Sequence, residues 1–139
     1  MQTDDILHEL NGPDRTRLLE RAESKSYSKG ETLIHEGDTN AIIYIILDGE
    51  VSVRKEIEND QQRELTALGF GSIFGEMSFL GSAPASASVV ATEDVEVLCV
   101  EHQHLNDLVR QDPAFSGRFY QSLAVTLANR LRQMNQRTD

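Results

Sequence analysis

The sequence predicts a mainly β domain, an antiparallel sandwich or barrel, with helices at both ends. Short apolar or alternating runs recur between residues 30 and 101, and turns that carry glycine or aspartate separate them. Strands at this spacing, with turn residues between them, are typical of antiparallel sandwiches and barrels. No helical pattern separates the runs, which disfavours a parallel α/β sheet.

The first part of the chain is predicted to be helical. The segment NGPD at residues 11–14 places a proline near a first helical position, and Leu18, Leu19 and Ala22 then share one helix face. We therefore assign residues 1–27 to N-terminal helices.

The remainder divides into a β region, residues 28–101, and C-terminal helices, residues 102–139. A length of 139 residues suits one domain with a single core. The lone cysteine, Cys99, lies within an apolar alternation and is expected to be a buried thiol rather than part of a disulfide. Six strands are predicted, at residues 32–35, 41–47, 50–57, 63–68, 86–91 and 95–101.

Two helices are expected after the β region. The first ends at Asp112, because the residue before a proline avoids helical geometry. The second, from about residue 114 to 137, carries two apolar stripes. Phe115, Phe119 and Leu123 step by four, as a face packed on the sheet would. The other stripe steps 4, 3, 4, 3 like a short coiled-coil seam and comprises Tyr120, Ala124, Leu127, Leu131 and Met134.

A helix that is apolar on two sides needs two partners. The β region supplies one, and a second copy of the chain is the expected other, so we predict a homodimer through this helix. The alternative is that both stripes pack on this domain or on a further one.

The charge distribution argues against nucleic-acid binding. The net charge is −10, and residues 1–111 hold 21 acidic but only 9 basic side chains. Affinity for nucleic acids comes mainly from neutralising phosphates, which an acidic body opposes. There is also no apolar run near 18 residues and no secretion signal, so we expect a cytoplasmic protein without a membrane span.

No catalytic set and no metal site are recognised, so the protein is not expected to be an enzyme or to hold a cofactor. In the stretch GFGSIFGE at residues 69–76 the third glycine is displaced, since Phe74 stands at its place in a dinucleotide fingerprint, and no βαβ unit surrounds the stretch. His102 and His104 lack the acidic residue that a cupin-type metal site has four or five positions on, and surface or helix-capping histidines are expected. The serines lie in no nucleophile elbow.

The segment Gly75-Glu76-Met77 is the strongest candidate binding site. At the first turn of a short helix its free N–H groups would face an anion, and glycine permits close approach. Glu76 would accept a hydrogen bond from a ligand hydroxyl, so a sugar phosphate would suit both groups. The alternative is that Glu76 caps its own helix and residues 86–91 are only a strand.

Three motifs resemble the cyclic-nucleotide-binding domain family, which includes catabolite-activator-like regulators. They are KGETLIHEGD at residues 29–38, YIILDGEV at 44–51 and FGEMSFLGSAP at 74–84, where the last matches the family's phosphate-binding cassette. The resemblance implies an eight-stranded jelly roll, a double-stranded β-helix barrel, with N-terminal helices. It also implies that the long last helix is a lever or a dimer contact, and that any helix-turn-helix domain would have to follow Asp139.

The sequence departs from the family at Ala85, where cyclic-nucleotide binders carry an arginine that pairs with the phosphate. By resemblance, Glu76 receives the ribose 2′-hydroxyl. Arg63, Arg54 or Lys55, and Arg130 are candidates to replace the missing cation. The implied ligand site comprises Gly75, Glu76, Met77, Ala85, Ser86, Ala87 and Ser88.

We therefore expect a ligand-sensing regulatory domain that binds cyclic AMP or cyclic GMP weakly, or that binds a different small anion. The alternative is a degenerate, ligand-free domain that acts as a dimerisation or protein-interaction module.

Overall fold

The computed structural model describes residues 8–136, which form two four-stranded antiparallel sheets with helices at both ends of the β region. The helices are α1 (Gly12–Leu19), α2 (Glu76–Gly81), α3 (His102–Gln111) and α4 (Pro113–Gln136), and Glu58–Asp60 form a 3-10 turn. The strands are β1 (Glu23–Tyr27), β2 (Thr32–Ile34), β3 (Ile42–Asp48), β4 (Val51–Glu56), β5 (Gln62–Leu68), β6 (Ile73–Phe74), β7 (Ser88–Ala91) and β8 (Val95–Glu101).

The two sheets form the jelly roll that the motifs implied. One sheet has the order β1-β8-β3-β6 and the other has the order β2-β7-β4-β5. Apolar residues from both sheets meet between them, and Ile46, Val51 and Val97 are fully buried there. Cys99 is buried in the same core, which confirms the expected buried thiol.

All six predicted strands are present, and two further strands were not predicted. β1 lies within the segment that we assigned to N-terminal helices, so that assignment is wrong for Glu23–Tyr27. Its sequence ESKSY is polar, and four of its five residues are exposed because β1 is an edge strand paired only with β8. β6 has two residues, too few to show alternation. The part of the predicted N-terminal helical region before residue 8 lies outside the described residues.

A second core joins α1, α3 and α4 to one sheet. Phe115 and Phe119 stack with their ring centroids 5.9 Å apart, and both are essentially unexposed. Leu123 and Leu105 pack in the same cluster. The stripe that was predicted to pack on the β region is therefore confirmed.

An ion-pair network ties α1 to the beginning of α4. Asp14 is 1% exposed and accepts hydrogen bonds from Arg118 Nε at 2.5 Å and Arg118 Nη2 at 2.9 Å. Arg17 bridges Asp14 and Asp112, with its Nη2 2.7 Å from the Asp112 carboxylate. The hydrogen bond from Arg118 is the main reason that the pKa of Asp14 is lowered to about 2.

No helix within residues 8–136 is long and apolar enough to cross a membrane.

Candidate functional site

Gly75, the second residue of the predicted cassette, occupies a position that other residues would not easily fit. Gly75 has φ +89° and caps α2, and a Cβ at this position would collide with the carbonyl oxygen of Ile42. The Gly75 carbonyl lies 3.3 Å from Asn40 Nδ2 and 3.2 Å from His102 Nε2. The start of α2 is thereby fixed to the loop before β3 and to the first residue of α3.

Glu76 is buried and is paired with a residue from α4. Its side chain is 1% exposed, and Oε2 lies 3.0 Å from Nη1 of Arg130, whose side chain is 16% exposed. Arg130 Nη2 also donates to the carbonyl oxygen of Ile73 at 2.6 Å. Burial raises the pKa of Glu76, and the guanidinium of Arg130 opposes that rise. The residue that was expected to accept a ligand hydroxyl is therefore already bound to a cation.

Beside this pair lies a cavity of about 350 Å³, within the usual size range of small-molecule sites. Six of the seven residues that were predicted for ligand binding line it, namely Gly75, Glu76, Met77, Ala85, Ser86 and Ala87. Ser88 does not line it, and its hydroxyl instead accepts a hydrogen bond from the N–H of Glu36 at 2.9 Å.

Most of the cavity wall is apolar. The sheets contribute Ile34, Val53, Leu65, Phe74 and Val89, and α4 contributes Leu127, Leu131 and Met134. Those three residues of α4 were predicted to form a dimer seam. Here they lie over the cavity of their own domain, while the other two residues of the seam, Tyr120 and Ala124, are exposed.

Arg130 is the only cation that lines the cavity within residues 8–136. Ala85 offers no charge, and its N–H donates to the carbonyl oxygen of Asp38 at 2.9 Å, so this N–H is not available to a ligand. Two of the other candidate replacements lie away from the cavity. Arg54 Nε donates to Ser52 at 3.0 Å, and Arg63 is exposed on β5.

One further cation lies close to the cassette but outside the cavity lining. Lys55 Nζ donates to the Ser86 carbonyl at 2.9 Å and lies 3.2 Å from the carboxylate of Glu36. The Lys55 side chain is 47% exposed, and its charge is matched by that of Glu36.

The two histidines of the HxH motif contact backbone carbonyls at different places. His104 Nε2 lies 2.8 Å from the carbonyl oxygen of Arg17, and His102 contacts Gly75. His104 is 7% exposed, so the expectation of a surface histidine is wrong for this residue, and its contact with Arg17 is at the last turn of α1. Burial lowers the pKa of His102. No group of three or more metal-ligating side chains was found among residues 8–136.

The chain is similar in sequence and in fold to known proteins. The family profile "cyclic nucleotide-binding domain" matches residues 24–112. The "Cyclic AMP receptor protein" of Thermus thermophilus is 31% identical over 139 residues, which are 100% of this chain and 62% of that protein. The "cAMP-dependent protein kinase type II regulatory subunit" of Drosophila melanogaster is 39% identical over 90 residues, which are 65% of this chain and 24% of that protein.

A solved structure gives the same fold. The "cyclic nucleotide-binding domain from Methylobacillus flagellatus KT" superposes with a TM-score of 0.84 at 27% identity, covering 92% of this chain and 72% of that one. The chain spans less than two thirds of the length of each of the two curated relatives, the receptor protein and the kinase regulatory subunit.

Proposed function

The chain belongs to the cyclic nucleotide-binding domain family, and from that premise we propose that it is a ligand-sensing regulatory domain that binds cyclic nucleotides weakly. The observation that carries the proposal is the position of Glu76, which lies at the cavity beside Ala85 and is paired with Arg130. The acceptor for a ligand hydroxyl is retained, and a cation for a phosphate is absent from position 85.

Weak binding follows from the missing guanidinium. A hydrogen bond to a charged group contributes about 1.5–3 kcal/mol, so its loss lowers affinity by about tenfold to a few hundredfold. Arg130 is the remaining cation, and it would have to share its charge between Glu76 and a phosphate. A different small anion would meet the same competition.

Ligand binding would be transmitted through α4. Arg130, Leu127, Leu131 and Met134 all belong to α4, so a ligand that enters the cavity contacts this helix directly. A ligand that binds one position of α4 better than another shifts the helix toward that position. We propose this shift as the output of the domain.

The homodimer remains part of the proposal. Tyr120, Val125 and Leu131 of α4 are 39%, 43% and 58% exposed, so apolar surface is left on this helix after it has packed on its own domain. A second copy of α4 would cover that surface.

The proposal includes no catalytic step and no cofactor, and it places the protein in the cytoplasm. We treat residues 1–139 as one domain whose β region begins at Glu23. Because the chain spans only 62% and 24% of the length of these two relatives, the activities of the whole proteins are not part of this proposal.

A second candidate function is a degenerate domain that serves only in dimerisation or protein interaction. The contacts of Arg130 favour it, because this side chain already satisfies Glu76 and Ile73 without a ligand.

Calorimetric titration of the full chain with cyclic AMP and cyclic GMP tests the two candidates. We expect dissociation constants no tighter than about micromolar, and we expect Ala85→Arg to tighten binding by about tenfold or more. Ala85→Gln is the matched control, since it adds length and polarity without charge. Nanomolar binding by the wild-type chain would contradict the role given to Ala85, and no binding by either form would favour the degenerate domain.

A further inference from the structure

We infer that the cavity selects an uncharged ligand, one with an apolar body and a hydroxyl group, over an anion. The inference rests on the proposed function only in requiring that the cavity binds a ligand, and it names the class of that ligand.

The charges that line the cavity already cancel. Within residues 8–136 its lining contains one carboxylate, Glu76, and one guanidinium, Arg130, whose side chains are 1% and 16% exposed. The nearby pair of Lys55 and Glu36 is also balanced and lies outside the lining. The site therefore has no net charge before a ligand enters.

An anion would disturb this balance. A cyclic phosphodiester adds one negative charge to a site where a single guanidinium faces a carboxylate, and the total becomes −1. Position 85 supplies no compensating charge, and its N–H donates to Asp38. Burying an uncompensated charge is costly, because protein replaces the water that would solvate it.

A hydroxyl group fits the pair without adding charge. Its O–H donates to the carboxylate of Glu76, and its oxygen accepts from Arg130. An arginine has five N–H donors, and among the described contacts two of its nitrogens serve Glu76 and Ile73, so N–H groups remain for the ligand. The hydroxyl thus inserts at the ion pair as both donor and acceptor.

The rest of the cavity suits an apolar body. Val53 and Leu65 face it from the sheet that contains β4 and β5, and Leu131 and Met134 face it from α4. Burying apolar surface of a ligand against these side chains removes it from water, which favours binding. A ligand whose surface is largely apolar, apart from its hydroxyl groups, uses most of this wall.

Calorimetric titration with adenosine, 2′-deoxyadenosine and cyclic AMP tests the inference. The titrations are run on the full chain at pH 8, well above 4.5, the ordinary pKa of the Glu76 carboxyl, because a higher pH favours its ionised form. We expect adenosine to bind about tenfold or more tightly than cyclic AMP, and 2′-deoxyadenosine to bind about tenfold more weakly than adenosine. The deoxy compound is the matched ligand that lacks the hydroxyl.

Two variants give the site a net positive charge and should shift its preference toward the anion, cyclic AMP. Glu76→Gln leaves Arg130 unpaired, and Ala85→Arg adds a second cation, so each makes the site positive. The ratio of cyclic AMP affinity to adenosine affinity should rise by about tenfold or more in both variants. Thermal unfolding shows that each variant is folded before it is titrated.

The outcomes separate this inference from the proposed function. Cyclic AMP that binds the wild-type chain as tightly as adenosine overturns the uncharged class and leaves the ligand-sensing function in place. An unchanged affinity ratio in folded Glu76→Gln and Ala85→Arg also overturns the charge argument. If no probe binds the wild-type chain at millimolar concentration, both the inference and the ligand-sensing function are wrong.

Discussion

Replacing Arg130 with glutamine tests whether the buried pair with Glu76 holds α4 against the cavity. The substitution removes the guanidinium that contacts Glu76 Oε2 at 3.0 Å and the Ile73 carbonyl at 2.6 Å. A carboxylate that is 1% exposed is then left without a cation. Removing one partner of a buried ion pair costs about 3–5 kcal/mol when the remaining charge stays ionised.

Protonation of Glu76 limits this cost. The ordinary pKa of the group is 4.5, so protonating it at pH 7 costs about 3.4 kcal/mol, and at pH 5.5 only about 1.4 kcal/mol. Burial raises the pKa of Glu76 in the folded protein, and loss of Arg130 raises it further. A carboxyl with a raised pKa favours the folded state at low pH, and this contribution is lost as the pH rises above 4.5.

We therefore expect Arg130→Gln to lower the free energy of unfolding by about 3 kcal/mol at pH 7 and by a smaller amount at pH 5.5, where protonating Glu76 costs about 2 kcal/mol less. Urea denaturation at the two pH values measures both quantities. The double variant Glu76→Gln with Arg130→Gln is the control. It has no carboxyl at this position, so its loss should not become smaller as the pH is lowered from 7 to 5.5. A loss that is equal at the two pH values, or that stays under about 0.5 kcal/mol at pH 7, would refute the coupling of the two residues.

Three other perturbations address the remaining structural claims. Gly75→Ala should lower the unfolding free energy by at least about 1 kcal/mol because φ is +89° there, whereas Gly81→Ala, whose Cβ would meet nothing within 4 Å, should not; equal thermal shifts would contradict this. Asp14→Asn should cost about 2 kcal/mol at pH 7, and its stability should converge with that of wild type as the pH falls from 3.8 through about 2. Tyr120→Glu combined with Leu131→Glu should give monomers in light scattering, and a persistent dimer would place the interface elsewhere.

The sequence predicted most of the β region because its strands are apolar and alternate between defined turns. It also predicted the start of α2, since Gly75 and Glu76 form a local motif that keeps its geometry within the fold. β1 was missed because an exposed edge strand needs no apolar face, and ESKSY shows none. Ser88 was assigned to the ligand because the sequence could not show that its hydroxyl accepts a hydrogen bond from the backbone N–H of Glu36.

The set of residues that line the cavity depends on tertiary contacts, which no local sequence pattern shows. Glu76 and Arg130 are 54 positions apart, and only the placement of α4 brings them together. The stripe that contains Leu127 and Met134 would be apolar whether it formed a dimer seam or lay over the cavity of its own domain. Apolar periodicity shows that a helix face is covered, but it does not show what covers it. The sequence therefore identified Arg130 as one candidate of four and could not choose among them.

Ion pairs connect the N-terminal end of α4 to α1. Arg118 is fastened to Asp14 there, and Arg130 lies about 18 Å further along the helix at 1.5 Å per residue. A rotation of about 10° about this anchored end displaces the distal guanidinium by about 3 Å, as much as the whole length of its hydrogen bond to Glu76. A rotation of this size about the end of α4 that Arg118 holds would therefore separate Arg130 from Glu76.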